Sequence, residues 1–170
     1  MSSKKGQVFS SDLVTATVLF TVALGVLSAS WHVAMLRVEE ARWMLELERK
    51  AYLLSDFLAK TPGTPADWES NPGGNVTGVG LAYFDREIDP GKLSSLTGVG
   101  EERLRRLFRL GGDRYQIILR RVDGVVEARL GEPPRGEYAV KYVRTISYRG
   151  RPAFLEVTVW GERTYGGVLL

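Results

Sequence analysis

The sequence contains no cysteine and a single histidine, His32. The missing thiols exclude disulfide bonds, thiolate nucleophiles and cysteine-ligated metal sites, so an exported domain of this chain must fold on its hydrophobic core alone. The soluble part offers no nucleophile–base–acid set, no zinc-ligand spacing and no phosphate-binding glycine loop. We therefore expect a protein that is not an enzyme and that uses no cofactor and no metal ion.

The chain also lacks a large excess of either positive or negative charge. The chain has 23 lysines and arginines against 20 acidic residues, a formal net charge of +3. The strongest basic grouping consists of Arg103, Arg105, Arg106, Arg109, Arg114, Arg120 and Arg121. Because Glu101, Glu102 and Asp113 lie among these arginines, we expect a solvated surface of mixed charge rather than a nucleic-acid site.

One stretch of the chain, Leu13 to Leu36, has no Asp, Glu, Lys or Arg. An α-helix rises about 1.5 Å per residue, so about 20 residues cross a hydrocarbon layer about 30 Å thick, and this run is long enough. Lys4 and Lys5 precede it, and basic residues next to a span stay on the cytoplasmic side. The pattern predicts a single-pass membrane helix with the rest of the chain facing outward. Within the run, hydroxyl groups can bond back to the preceding helical turn, at Thr15, Thr17, Thr21, Ser28 and Ser30.

Three interpretations of this N-terminal region compete. A secretory signal peptide would use Lys4 and Lys5 as its basic region and Ser28-Ala29-Ser30 as its cleavage site. The apolar character that continues from Trp31 to Leu36 counts against it. A plain single-pass anchor is the second interpretation, and a precursor that is cut before the apolar helix is the third.

The third interpretation gains weight from Lys4-Lys5-Gly6-Gln7, placed directly before an apolar helix. This arrangement resembles the class III signal peptide of archaeal type IV pilins and archaellins. The resemblance implies a leader of residues 1–6, cleaved between Gly6 and Gln7 by a prepilin peptidase. The apolar helix then remains on the mature protein as the filament core. The side chains expected to carry assembly are Asp12, Leu13, Phe20, Leu24 and Leu27.

Asp12 is the only acidic residue beside the apolar run. In bacterial type IV pilins, an acid at the fifth mature position pairs with the terminal amine of a neighbouring subunit. Here Asp12 would be the sixth mature residue, and Ser11 would be the fifth. The alternative role for Asp12 is the helix N-cap, with Ser10 and Ser11 as rivals, and both roles stay open.

The helical pattern continues beyond the apolar run. Met44, Leu47, Ala51, Leu54 and Leu58 recur at steps of three and four, which is one face of a helix. Thr61-Pro62-Gly63-Thr64-Pro65 then ends it. We predict one helix from about residue 10 to about residue 60, with a membrane-spanning first half and an amphipathic second half. The head's own sheet or neighbouring subunits would cover the apolar face of that second half.

A second resemblance covers about 35 residues after the helix. Its segments are Thr61-Pro62-Gly63, Asp67-Trp68-Glu69, Val79-Gly80-Leu81-Ala82 and Asp89-Pro90-Gly91-Lys92-Leu93. Together they are similar to a recurrent pattern in archaeal pilin-like proteins. We interpret the pattern as a structural clasp in which Trp68 packs on the long helix while Pro62 and Pro65 fix the exit of the chain.

The sequence thus predicts a helical segment of residues 7–60 followed by a head of residues 61–170. The pattern predicts a weak strand at 76–84 and a short helix at 101–110 that ends at Gly111-Gly112. Two hairpins follow: strands 115–122 and 125–130 around Asp123-Gly124, a type I′ turn signal, and strands 137–148 and 152–160. We expect an α+β fold, in which the long helix packs on an antiparallel sheet of about four strands.

Two loops of the head carry other candidate sites. Asn75-Val76-Thr77 is an N-glycosylation sequon, usable if the head lies outside the cell. Asp85, Glu87 and Asp89 alternate and would converge on a hard cation if the chain were extended there. A solvated polar loop is the interpretation we favour for these three carboxylates.

The resemblance implies a structural subunit, a major or minor pilin or a pseudopilin, of an archaeal type IV pilus-like filament at the cell surface. Its partners would be the membrane, a prepilin peptidase, the pilus assembly platform and other subunits, in a homo- or heteropolymer. The residues leave two alternatives open: a solitary membrane-anchored extracytoplasmic binding module, and an exported protein released after Ser30. Adhesion, motility, secretion and DNA uptake all remain open as roles for such a filament.

Overall fold

A computed structural model of the chain describes residues 4–135, 138–161, 164–165 and 168–169, with side chains for 11–135 and 138–161. The chain divides into two compact units, Met1–Trp43 and Met44–Leu170. Helix α1 spans Lys4–Lys60 and supplies residues to both units. The predicted boundary between helix and head was residue 61. The second unit begins earlier because the last turns of α1 pack with the head.

Helix α1 begins earlier than the sequence predicts. The predicted start was about residue 10, but the helix already includes Lys4. Asp12, Ser10 and Ser11 therefore lie inside the helix, and the N-cap role considered for them is wrong. The physical reason is that no proline interrupts residues 4–10, so the helix propagates through them once the apolar run has formed it.

The threonine hydroxyls of the first unit bond to the helix backbone as predicted. Thr15 Oγ1 donates to the carbonyl oxygen of Ser11 at 2.9 Å, and Thr17 Oγ1 donates to that of Leu13 at 2.8 Å. Thr21 Oγ1 donates to the carbonyl oxygen of Thr17 at 2.8 Å. These hydroxyls need no external partner, so they do not oppose an apolar environment around the helix.

In the second unit, the predicted apolar face of α1 forms part of the core. Leu47, Ala51, Leu54 and Leu58 are buried, and Met44 at the start of the face is half-buried. The opposite side of this core is the sheet, and its best-buried strand contributes Leu155, Val157 and Val159. Side chains also join the two elements: Tyr142 Oη donates to Glu48 Oε1 at 3.0 Å, and Arg144 Nε donates to Ser55 Oγ at 3.2 Å. The fold is therefore α+β, as predicted.

The main sheet has six strands, in the order β1-β2-β5-β6-β3-β4. Their bounds are β1 Ala82–Phe84, β2 Glu87–Ile88, β3 Arg114–Arg121, β4 Val126–Gly131, β5 Ala139–Tyr148 and β6 Arg151–Trp160. All neighbours are antiparallel except β2 and β5, which pair in parallel through Glu87–Ser147 and Ile88–Tyr148. Two further short strands, β7 Thr164–Tyr165 and β8 Val168–Leu169, pair with each other.

Both predicted hairpins form, but with different turns. Arg149 and Gly150 have φ of 52° and 71° between the paired residues Tyr148 and Arg151, which is the two-residue turn with positive φ. In the β3–β4 hairpin only Gly124 has positive φ, at 88°. Its N–H donates to the carbonyl oxygen of Arg121 at 2.9 Å. This turn is therefore a type I turn followed by a glycine bulge, and the predicted type I′ turn is wrong.

Short helices connect the end of α1 to the sheet. They are α2 Pro90–Ser95, α3 Glu101–Leu107 and two 3₁₀ turns, Trp68–Ser70 and Leu96–Val99. The predicted end of α3 at Gly111-Gly112 is wrong by a few residues. Leu110 N–H donates to the carbonyl oxygen of Arg105 at 3.1 Å, and Arg109 N–H donates to that of Arg106 at 3.0 Å. This pair of bonds is a Schellman motif, with Arg109 at the left-handed position, φ 53°.

The weak strand predicted at 76–84 is reduced to β1, its last three residues. The preceding residues are tied to other partners. Thr77 N–H and Gly78 N–H both donate to the carbonyl oxygen of Thr64, at 2.9 and 3.2 Å. Leu81 N–H donates to the carbonyl oxygen of Leu58 at 3.1 Å. The apolar residues Val76, Val79 and Leu81 of this segment are buried, as in a strand. Its backbone N–H groups, however, bond to a loop and to the end of a helix instead of to a neighbouring strand.

Candidate functional site

The apolar run of α1 carries large side chains that no other described residue of its own unit covers. The predicted assembly residues are all exposed: Leu13 by 69%, Phe20 by 68%, Leu24 by 53% and Leu27 by 65%. Water is a poor solvent for so much contiguous apolar surface, which is what a membrane or a partner helix would cover. The described part of the chain contains one helix, Ser11–Lys60, that is long and apolar enough to cross a membrane.

The other N-terminal candidates lie along the same helix. Asp12 and His32 are exposed. The backbone of Lys4, Lys5, Gly6 and Gln7 is helical, whereas their side chains lie outside the described residues. The structure thus places the predicted cleavage site and Asp12 on the same helix and leaves their roles as predictions.

In the head, the segments of the second resemblance come together around the end of α1. Trp68 is buried, and its Nε1–H donates to the carbonyl oxygens of Pro62 at 3.1 Å and Gly80 at 2.9 Å. Gly80 must be glycine, because a Cβ there would lie 2.0 Å from the carbonyl oxygen of Thr61. The indole therefore fastens the segment that leaves the helix to the segment that returns to it.

Lys92 completes this clasp from helix α2. It is buried, with 3% of its surface exposed, and its Nζ donates to the carbonyl oxygens of Pro62 at 2.7 Å and Ala66 at 2.6 Å. Glu69 Oε2 lies 3.9 Å away. Helix α2 is itself capped by Asp89, whose Oδ1 accepts a hydrogen bond from Gly91 N–H at 2.7 Å. A buried ammonium needs such acceptors, so Lys92 is a fixed structural element of this loop.

Returning backbone also satisfies the end of α1. The last carbonyls of a helix have no partner within it. Here Leu81 N–H donates to the carbonyl oxygen of Leu58 at 3.1 Å, and Arg86 N–H donates to that of Ala59 at 2.9 Å. The end of the long helix is thus built into the head rather than frayed into solvent.

A groove of about 560 Å³ lies within the head. It is lined by α1 residues from Glu46 to Phe57, by Thr77, Gly78 and Val79, and by Leu107 to Arg109 at the end of α3. Leu53 and Phe57 are exposed by 50% and 39%. At one side of it Lys50 Nζ pairs with Asp113 at 2.7 Å and with Glu46 at 2.9 Å. Burial opposes the charge of Lys50, but these two carboxylates outweigh it and raise its pKa above the usual value.

Charged groups also meet on the sheet face opposite the α1 core. Glu156 is buried, with Arg120 Nε at 2.8 Å from its Oε1 and Lys141 Nζ at 2.5 Å from its Oε2. Burial alone would raise the pKa of this carboxyl, but the two cations outweigh it and hold the pKa below the usual value. On the core side, burial raises the pKa of Tyr115 to about 12. These shifts arise in structural ion pairs and in a phenol of the core.

Most arginines of the basic grouping are paired within the head. Arg114 pairs with Glu132 at 2.8 Å, Arg120 with Glu156, and Arg121 with Asp123 and Glu127. The guanidinium of Arg103 is occupied by backbone carbonyls. Most of the grouping is thus committed to contacts within the head.

The carboxylates Asp85, Glu87 and Asp89 do not converge. Asp85 is exposed beside Arg86, Glu87 belongs to β2, and Asp89 caps α2. Among the described residues, no group of three or more His, Cys, Asp or Glu side chains is arranged to hold a metal ion. Of the three carboxylates, only Asp85 lies in a turn as the favoured interpretation of a polar loop has it, since Glu87 is in a strand and Asp89 caps a helix.

Sequence reasoning missed two residues of this region. The burial of Lys92 was not predicted, and Arg103 was assigned to the basic grouping. The only sequence signal for Lys92 was its place in the second recurrent pattern. No protein-family model, curated protein or solved structure matches the chain.

Proposed function

We propose that this chain is a structural subunit, a pilin or pseudopilin, of an archaeal type IV pilus-like surface filament. The observation that carries the proposal is the apolar run Leu13–Leu36, which is helical, uncharged and exposed on its large side chains. It precedes a compact α+β head. A subunit that polymerises through its N-terminal helix needs this combination.

The precursor is processed at Gly6-Gln7. Cleavage there removes Lys4 and Lys5, the basic residues that orient the span, and leaves the apolar helix on the mature chain. The partners are the membrane, a prepilin peptidase, the assembly platform and other pilin subunits. In the assembled filament Leu13, Phe20, Leu24 and Leu27 contact neighbouring helices.

Asp12 is the charged residue of the assembly surface. A carboxylate beside an apolar bundle is costly unless it is paired, and the new amino group at Gln7 of a neighbouring subunit supplies the opposite charge. Because Asp12 is helical and exposed, its side chain is available to such a partner.

A second candidate function is a solitary membrane-anchored binding module with the head outside the cell. The groove of about 560 Å³ between α1, the 77–79 loop and α3 favours it, because a concave site with exposed apolar residues is what a binding module offers. The two functions differ in whether the leader is removed.

N-terminal mass spectrometry of the protein from membranes of a host with a prepilin peptidase tests this difference. We expect the mature chain to begin at Gln7, and we expect Gly6→Val to keep the precursor intact. A matched control, Gly25→Val, changes a glycine inside the exposed apolar run and should not affect processing.

The other outcomes are equally informative. An intact N-terminus in the parent chain contradicts the pilin proposal and leaves the anchored module. A chain that begins at Trp31 contradicts both, because the apolar helix has then been removed and the head is secreted.

A further inference from the structure

The loop between Asn71 and Thr77 holds both asparagines of the chain, Asn71 and Asn75. Only Asn75 stands in an acceptor sequence, Asn75-Val76-Thr77. Asn71 is followed by Pro72, which is not allowed at the middle position of the sequon, and by Gly73, which has no hydroxyl at the third position. We infer that Asn75 is the attachment site of an N-linked oligosaccharide.

The structure presents this sequon at the surface. Asn75 and Thr77 are exposed, whereas Val76 between them is 5% exposed and packs into the head. An acceptor asparagine must be reached by the transferase and must leave room for a sugar, and Asn75 meets both needs. Buried Val76 keeps the two polar residues turned out on either side of it.

Contacts from the rest of the head hold the loop on both sides of Asn75. The guanidinium of Arg103 donates to the carbonyl oxygens of Pro72 at 3.3 Å, of Gly73 at 3.1 Å and of Gly74. On the other side, Thr77 N–H donates to the carbonyl oxygen of Thr64 at 2.9 Å. The acceptor therefore sits on a fixed rim, and Thr77 and Gly78 beside it also line the groove of the head.

The transfer needs one co-reactant, an oligosaccharide linked to a lipid through phosphate. The Asn75 amide nitrogen forms a bond to C1 of the first sugar, and the bond from C1 to the phosphate oxygen breaks. The phosphate leaves with the bonding electron pair, and the amide nitrogen loses one proton to a base of the transferase. Nothing is oxidised or reduced.

This inference rests on the outward-facing head that the proposed function requires. The test uses the full chain, expressed in a host that performs N-glycosylation and recovered from its membranes. Trypsin releases the peptide Thr61–Arg86, which contains both asparagines. Fragmentation that preserves the sugar then assigns any added mass to Asn71 or to Asn75.

We expect the added mass of an oligosaccharide on Asn75 and none on Asn71. Asn75→Gln and Thr77→Ala should abolish it, whereas Thr77→Ser and Asn71→Gln should keep it, because the acceptor needs a hydroxyl two residues on and no other asparagine. The two retaining variants also show that substitutions in this loop do not unfold the head.

Digestion of intact cells with added protease separates failure of this inference from failure of the proposed function. A head that is cleaved from outside but carries no sugar on Asn75 overturns the glycosylation site and leaves the filament subunit standing. A head that is protected inside the cell overturns the outward topology, and with it both proposals.

Discussion

Two buried side-chain donors of this head, the Lys92 ammonium and the Trp68 indole N–H, are held by backbone carbonyl oxygens nearby. Lys92 Nζ meets the carbonyls of Pro62 and Ala66, and Trp68 Nε1–H shares the carbonyl of Pro62 and adds that of Gly80. A backbone carbonyl buried without a donor costs about 1–3 kcal/mol, so the side chains stabilise the loop by satisfying groups that no sheet or helix reaches. At the scale of the residue, the loop after α1 is ordered by these two donors.

Glu156 provides a prediction at the same scale, because its carboxylate is paired with Arg120 and Lys141. Its pKa is lowered in the folded state, so the carboxylate stabilises the fold above the pKa of the unfolded chain, about 4.3. That contribution is lost as the pH falls through the lower folded value. Glu156→Gln should lower the free energy of unfolding at pH 7 by about 1–2 kcal/mol, and the difference from the parent should shrink below about pH 4.

Denaturant unfolding of the detergent-solubilised chain at pH 7, 5, 4 and 3, followed by circular dichroism, measures this difference. Glu102→Gln is the control, since its side chain is 76% exposed and its pair with Arg105 spans 3.5 Å. We expect the control to change stability little at any pH. A Glu156→Gln deficit that stays constant down to pH 3 would contradict the assigned ion pairs.

At the scale of the element, helix α3 ends where the backbone geometry demands a residue that arginine fits poorly. Arg109 has φ of 53° at the left-handed position of the Schellman motif. A non-glycine residue there carries a steric cost of about 1–2 kcal/mol in the folded state. Glycine removes this cost, but it also makes the unfolded chain more flexible, which cancels part of the gain in stability. Arg109→Gly should therefore raise the free energy of unfolding by about 0.5–1 kcal/mol.

Arg106→Gly is the matched control for this prediction. Both arginines are exposed, but Arg106 lies within α3, where glycine lowers stability by about 1 kcal/mol. The same substitution at the two positions should thus change the denaturation midpoint in opposite directions. Loss of stability in both variants would show that the left-handed turn at Arg109 is wrongly placed.

Elements with strong periodicity or a clear turn signal were predictable from the sequence. The steps of three and four from Leu47 to Leu58 gave the buried face of α1, and glycines at Gly124 and Gly150 marked both hairpins. Strand β2 was not predictable, because two residues carry no periodicity and its parallel pairing with β5 depends on contacts distant in sequence. The end of α3 was assigned to Gly111 because glycine is the usual residue at that position.

The apolar run follows from composition alone, and the second resemblance predicted a clasp after the helix, but the place of Lys92 in that clasp needed the structure. A run without charged residues predicts an apolar helix of membrane-spanning length, and the structure leaves the side chains of Leu13, Phe20, Leu24 and Leu27 exposed. Burial of Lys92 depends on where distant carbonyls converge, and no local pattern encodes that. Sites formed by residues that are distant in sequence are therefore the hardest to predict from the sequence.

At the scale of the whole molecule, the apolar run exposes large hydrophobic side chains that a membrane would cover, whereas the head buries its own hydrophobic core. Arginine at the centre of a spanning helix costs about 2.5–3.5 kcal/mol, so the double variant Phe20→Arg/Leu24→Arg should oppose insertion by about 5–7 kcal/mol. The matched control Leu45→Arg/Leu53→Arg changes residues of similar exposure, 63% and 50%, that lie outside the run. We expect alkaline carbonate to extract the first variant from membranes and to leave the control and the parent chain membrane-bound. Equal extraction of both double variants would indicate that retention also depends on the part of α1 that follows the run, and retention of both would mean that the apolar run is not what holds the protein in the bilayer.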